Sequence, residues 1–429
     1  MVCTSDISGL VRGKGFPASE LPSRLERGVT WTSTSTMISP FGPVSDSPFG
    51  PTSDVMLMPD PAYEVRVEFD DGSSPEHFCL ADLLNVDGSP WDCCPRHFLR
   101  RALADLEAEL YVRPLASFEQ EFVYTGAEDR PNYHGLEAHR RQGIFGEMLL
   151  ASLRQAGLTP DTFLPQYGPR QYQVAVAPAT GLRAADHAVI LREITRATAY
   201  RLGHRAIFAP MLHPEGVGNG TRIHISFRDR INRSATYDAS GPYGLSRIAA
   251  HFMAGVMHHI RAVCAVTAPS VVSYMRIMPK RWPPTYGNIG LRDRAASLRV
   301  CPAFDVPGTD HAAHHNVEFR PADATASPYL ALGIIVHAGV DGIRKRLPLP
   351  PPTDRSPQAM SDEERRAAGI QPLPRSLDEA LDALEATPEA KTWFGPVFLD
   401  AYLRYKRAEI RMLEGLDPEE QCERYAQNY

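Results

Sequence analysis

Long apolar runs are what this chain of 429 residues most plainly lacks. None approaches the roughly 20 consecutive apolar residues that cross a bilayer, so a helical membrane anchor is not expected. Surplus positive charge is also missing. Lys and Arg total 45 against 51 Asp and Glu, for a net charge of −6. Nothing there points to nucleic acid or an anionic membrane surface as a partner. Cysteine is sparse as well: seven residues, an odd number that includes the adjacent Cys93 and Cys94, do not suggest a disulfide framework. The opening Met1–Asp6 has no basic stretch followed by an apolar one. The expectation is a cytoplasmic protein of two to three domains, at about 150 residues each.

What is present has a clear grain. Ile7–Arg12 and Glu64–Phe69 alternate apolar and polar residues as strands do, and Asp71-Gly72 is a hairpin-turn pair. Between them, Pro40–Pro51 is too rich in proline and glycine for regular structure, yet its Phe41, Val44 and Phe49 call for packing. From Pro95 the period changes: Phe98, Leu99, Ala102, Leu103, Leu106 and Leu110 recur at helical spacing. A domain boundary is placed there, giving 1–95 and 96–429. Beyond it a strand is expected over Val112–Val123, with helices over Ile144–Ala156, Asp186–Leu202 and Gly244–Val266. Ser361–Glu364 and Ser376–Glu379 read as capping boxes, and Leu347–Pro352 as a proline-bound loop.

Several constellations carry chemistry. Glu119 and Glu121 are two apart on a strand and share a face, which suits a hard divalent cation or an ammonium group; an exposed strand face is the equal alternative. Gly216–Ser226 is a glycine-rich loop entering a strand that carries Arg222 and His224 on one face; it lacks the lysine and hydroxyl of a P-loop. Arg276, Arg294, Arg299 and Arg320 gather guanidiniums in an apolar, proline-rich setting, which favours arginines gripping a carboxylate or phosphate. Glu318 and Arg320 share a strand face just before an apolar helix. His311, His314 and His315 have no acid or cysteine at ligand spacing and are read as loop residues; His258-His259 is read as surface.

Asn316–Gly342, taken with Asp6–Lys14, Ser53–Asp60, Asp87–Arg96, the glutamate pair, the glycine loop and Tyr274–Arg299, resembles the glutamine synthetase superfamily in motif order over nearly the whole chain. Trp282-Pro283-Pro284 is similar to the γ-glutamyl-polyamine and γ-glutamyl-amide ligase branch. The resemblance implies an α+β glutamine-synthetase fold: a small N-terminal β-grasp domain and a large catalytic domain with a curved antiparallel sheet and helices. It also implies ATP, magnesium, a small glutamate-like or amine substrate, and a homo-oligomeric ring whose sites form between neighbours. Residue by residue it implies that Glu121 meets a substrate amino group, Arg276 its α-carboxylate and Arg320 its γ-carboxylate. Gly218 and Trp282 join them in substrate binding. Arg294 and Arg299 hold phosphates, His224 is the second histidine of a His-x-His pair, and Glu119 and Glu318 are ligands of the ATP-side metal.

The other expected ligands are absent. The family's Glu-x-Gly-Pro-Gly-Gln-x-Glu is here Gln166–Gln173, with glutamine for both metal-binding glutamates and Arg170 for a glycine. Arg222 stands where a metal-binding histidine is expected. A lysine and an arginine that touch ATP fall at Ala313 and Asn316, and the small domain's catalytic aspartate falls within the acid-free Trp31–Thr36; Asp71–Ser74 is a decoy. Two negative charges are lost where two positive ones arrive, so arginines replacing metal ions is the expectation, with a rebuilt site of Gln166, Arg170, Gln173 and Arg222. Arg222, His224 and Arg294 are the candidate catalytic residues. Three functions stay open: transfer or hydrolysis at a γ-glutamyl C–N bond without ATP, an ATP-dependent carboxylate–amine ligase with one metal at Glu119 and Glu318, and a silent regulatory homologue. The acid, the amine and the ring size are not set by the sequence.

Overall fold

The computed structural model describes residues 1–429 apart from 52, 280, 282, 283, 302, 304, 305 and 354. Two large sheets organise it. The first has five strands in the order Val11–Lys14, Val2–Ser5, Glu76–Asn85, Asp54–Val67 and Val29–Thr32. Val2–Ser5 runs parallel to Glu76–Asn85 and the other neighbours are antiparallel. Val55, Leu57, Val65 and Val67 alternate into its core. The proline-rich loop packs as its side chains require: Val44 is buried, and Phe49 lies 5.4 Å from the Trp91 ring.

The helix Pro95–Leu110 follows, burying Phe98, Leu99, Ala102 and Leu106. It lies against Pro328–Lys345, a helix buried along most of its length. The second sheet has nine strands. Its main path is Ile289–Leu291, Leu298–Cys301, Asn316–Phe319, Thr221–Arg228, Arg113–Tyr124, Gln171–Val176 and Pro160–Pro165. All pairs on it are antiparallel except the first. Strict alternation divides its faces. Thr221, Ile223, Ile225 and Phe227 are buried, as are Ala116 and Phe118 on the adjoining strand. Arg222, His224, Glu119 and Glu121 take the other face, so the charged residues share one surface of a rigid sheet. No helix of the described residues is long and apolar enough to cross a membrane.

Four local expectations need correction. Ile7–Arg12 is mostly a turn, because the Asp6 carboxylate accepts from the Ser8 and Leu10 amides and the strand begins only at Val11. The long helix expected over Gly244–Val266 is two, Arg247–His258 and Ile260–Thr267, broken at His259. His259 is not a surface residue: it is buried with Nε2 2.8 Å from Asp341 Oδ2. Ser361 and Glu364 close a reciprocal capping box, whereas at Ser376 only the serine half forms, since Glu379 accepts from Arg375 instead.

Candidate active site

Register assembles the centre of the site. Across adjoining strands Arg222 faces Glu119, His224 faces Glu318, and Gln173 faces Glu121. Arg222 therefore enters the middle of three carboxylates. Its Nη2 lies 2.7 Å from Glu121 Oε1, its Nη1 3.5 Å from Glu119 Oε2, and its Nε 3.6 Å from Glu318 Oε1. The same Nη1 donates to Gln173 Oε1 at 2.6 Å. Gln166 donates to that oxygen too, at 2.6 Å, while Gln173 Nε2 donates to Glu119 Oε2 at 3.1 Å. The glutamines and the arginine thus form one hydrogen-bonded unit.

The glycine loop lets a second arginine approach. Gly220 N–H donates to Glu121 Oε2 at 2.6 Å, and a Cβ at Gly220 would sit 3.0 Å from Arg276 Nη1. One at Gly218 would meet Arg276 Cγ and Met211 Sδ at 2.7 Å. Arg276 is buried and anchored through Nη2 to the Pro321 and Ala322 carbonyls at 2.6 and 2.8 Å. Arg320, also buried, pairs with Glu318 Oε1, and Arg299 holds the other oxygen at 2.9 Å. The Nε groups of Arg276 and Arg320 have no hydrogen-bond partner among the described residues. Several guanidiniums converging on one cavity suit an anionic ligand.

That cavity, about 890 Å³, is lined by Glu119, Glu121, Gln166, Gln173, Gly218, Arg222, Arg276, Arg294 and Arg320 among others. His224, Glu318 and Arg299 stand one layer behind. His224 Nε2 is 3.2 Å from Glu119 Oε1 and its Nδ1 2.9 Å from Asn316 Oδ1. Arg170 is not part of the cluster. Its backbone has φ +56°, and its guanidinium pairs with Asp129 at 3.0 Å instead of entering beside Arg222. Trp282 lies outside the described residues. Asp71 occupies an exposed turn, bonded to Ser73 and paired with Arg201. Two contributors were not anticipated. Gln171 ties the Gly168 amide to the Gly218 carbonyl and Asn219, and Cys301 sits 3.8 Å from Glu318 Oε2. The Gln171-x-Gln173 and Arg299-x-Cys301 spacings, each placing two side chains on one strand face, are the signals that would have found them.

Burial opposes charge at every one of these groups, and the partners decide the outcome. It pushes Glu119 up, but His224, Arg222 and Arg320 bring it down to about 2. It pushes His224 down, but the neighbouring Cys301 thiol and the carboxylates of Glu119 and Glu318 raise it well above the usual imidazole value. Glu318 ends lowered against the same burial penalty, chiefly by Arg320. Arg222 ends raised because Glu121, Glu119 and Glu318 outweigh its desolvation. A divalent cation on the Glu121 side does not fit these donors. Two amides and a guanidinium occupy the places where hard carboxylate ligands are needed, and the guanidinium already uses the carboxylates present.

Comparison with known proteins agrees with this architecture. Residues 1–91 match the glutamine synthetase N-terminal domain and residues 92–425 the glutamine synthetase catalytic domain. The chain is 30% identical to the gamma-glutamylpolyamine synthetase GlnA3 of Streptomyces coelicolor, over 99% of this chain and 92% of that protein. It is 31% identical to the glutamine synthetase of Pyrococcus furiosus, over 94% and 88% respectively. A crystal structure described as a novel glutamine synthase homolog superposes with a TM-score of 0.92 at 37% identity, covering 100% of this chain and 97% of that one. The fold is the glutamine synthetase fold, an N-terminal domain followed by a catalytic domain, and the chain belongs to the glutamine synthetase family.

Proposed function

We propose that this protein acts at the C–N bond of a glutamate-like or γ-glutamyl substrate, with the Arg222 guanidinium in place of the cation on the Glu121 side and without ATP as co-substrate. One observation carries the reading: Arg222 bridges Glu119, Glu121 and Glu318 while Gln166 and Gln173 close around it. Glu121 takes the substrate's amino group, Arg276 its α-carboxylate, and Arg320 with Arg294 and Arg222 the oxygen at the γ-carbon. Guanidiniums converging on that oxygen stabilise the oxyanion that develops there. A nucleophile, amine or water, bonds to the γ-carbon as the old C–N bond breaks. The proton it sheds ends on the departing amine. His224, one layer back, acts as a positioning residue by holding Glu119 ionised. The assembly expected is a cytoplasmic ring with sites completed between neighbours.

A second reading is an ATP-dependent γ-glutamyl-amide ligase, favoured by the likeness to the Streptomyces coelicolor enzyme. Thermal melting with glutamate, γ-glutamyl amides, ATP and magnesium, singly and together, separates them. Glutamate or a γ-glutamyl amide at a hundred times its Kd adds about 2.7 kcal/mol of stability. ATP with magnesium adds little, because Ala313 and Asn316 are not cations and Asn316 is engaged with His224. Strong stabilisation by ATP–magnesium alone selects the ligase. No response to any amino acid selects a silent homologue.

A further inference from the structure

The cavity has two chemically distinct walls, and the second is unaccounted for. Away from the charged cluster it is lined by His134, Leu164, Tyr167, Val217 and Pro284. Tyr167 is 58% exposed, and its ring meets Tyr133 edge to face at 5.3 Å and His134 at 5.8 Å. The backbone that carries two of these rings is constrained, and one ring is anchored. Tyr133 and His134 are consecutive non-glycine residues with φ +44° and +58°, and His134 Nδ1 lies 3.0 Å from the Pro165 carbonyl oxygen. Two adjacent residues in that sparsely populated region persist only where surrounding structure fixes them. The aromatic wall starts where the guanidinium unit ends, since Gln166, bonded through Gln173 to Arg222, is followed directly by Tyr167. A γ-glutamyl group seated on Arg276, Arg320 and Arg222 therefore turns its nitrogen substituent toward these rings.

Charge narrows what that substituent is. Outside the central cluster the described lining carries one carboxylate, Glu215, against the guanidiniums of Arg281 and Arg294. A polyamine chain would meet like charge at two positions and opposite charge at one. A flat apolar group meets ring faces and edges that now face solvent. We infer that the substituent on the γ-nitrogen is aromatic and uncharged, as in a γ-glutamyl arylamide, and that Tyr167 selects it. This rests on the γ-glutamyl reading above and adds the class of amine.

The test compares glutamate, γ-glutamylputrescine and γ-glutamyl-4-nitroanilide by calorimetric titration, on the wild-type protein and on Tyr167→Ala and Tyr167→Phe. The nitroanilide should bind roughly three- to tenfold more tightly than γ-glutamylputrescine, the range of one aromatic contact. Tyr167→Ala should erase that preference and leave glutamate affinity unchanged, and Tyr167→Phe should retain it. Glutamate binding with equal affinity for the two amides, or with putrescine preferred, overturns the inference and leaves the γ-glutamyl reading standing. A preference that survives Tyr167→Ala also overturns it. Failure of glutamate and both amides to bind overturns the two together.

Discussion

Replacing Arg222 by methionine keeps an unbranched apolar stem and removes the guanidinium and its charge, with consequences that differ from partner to partner. Glu318 keeps Arg299 and Arg320, and Glu119 keeps His224. Glu121 keeps only the Gly220 amide among its described partners in the cluster, and it is 6% exposed. Leaving a buried carboxylate unpaired costs about 3–5 kcal/mol. An unfolding entropy near 2.1 cal/mol/K per residue converts this, for a chain of 429 residues, into a melting-temperature loss of about 3–6 °C. The loss must depend on pH in a set direction. Glu119 is held at about 2 against an ordinary value of 4.5, so its stabilising contribution is complete above about pH 5 and disappears as pH falls toward 2. In the variant, carboxylates freed from Arg222 take up protons at higher pH, and neutral acids no longer repel. The gap between Arg222→Met and wild type should therefore be widest near pH 7.5 and shrink toward pH 4.5. Adding Glu121→Gln to the variant should recover part of the loss, on the order of 1–2 kcal/mol, as a coupled pair does. Calorimetric melts across pH decide it. A loss under about 1 kcal/mol, a gap independent of pH, or strictly additive single-mutant costs would refute the placement of Arg222 as the counter-charge of this cluster.

Gly220→Ala, which sets a methyl 3.0 Å from Arg276 Nη1 and 3.4 Å from Glu121 Oε2, should weaken glutamate binding about tenfold while the protein stays folded; titration that finds unchanged affinity would count against the Glu121–Arg276 grip. Millimolar magnesium or manganese should leave the wild-type melting temperature where it is, whereas the triple variant Gln166→Glu, Gln173→Glu, Arg222→His should gain stability with either ion; a wild-type response as large as the variant's would be evidence that the guanidinium does not replace the cation. Light scattering should give a multiple of the 47.4 kDa chain mass, and a monomer at micromolar concentration would contradict the ring.

Local pattern made much of the site legible, and long-range geometry set its limits. The spacings Glu119-x-Glu121, Arg222-x-His224 and Glu318-x-Arg320 each put two functional side chains on one strand face, because alternation is a property of the strand alone. That Arg222 lies opposite Glu119, and His224 opposite Glu318, is a matter of register between segments about 100 residues apart, and no local pattern carries it. Arg170 illustrates the cost. Its position in the motif suggests a second cation in the centre, but a left-handed backbone and a distant acid, Asp129, draw the guanidinium outward. At His259 the partner Asp341 is 82 residues away, so an apparently surface dihistidine conceals a buried hydrogen bond. The Ile7–Arg12 alternation misleads for a different reason: one buried carboxylate, Asp6, organises a turn whose residue pattern imitates a strand.

A guanidinium and a divalent cation are not equivalent occupants of such a cluster, and the difference bears on the reaction. Both neutralise carboxylates, but arginine brings one positive charge where an ion brings two, and glutamine at 166 and 173 carries no negative charge for either to neutralise. Arg222, Arg299 and Arg320 counter Glu119, Glu121 and Glu318 without any ion in solution, at every pH above the range where the carboxylates protonate. What is given up is coordination. A guanidinium donates hydrogen bonds and accepts none, so it can steady an oxyanion but cannot bind a nucleophile's lone pair and make it more acidic, as a bound cation does. Under the reading proposed here, activation must reside in the substrate. An amide carbon already bonded to a leaving nitrogen meets that requirement, whereas a free carboxylate does not, because making an amide from it requires a separate source of free energy. On that proposal a guanidinium at this position favours transfer over synthesis, because hydrogen-bond donation is kept and coordination is lost.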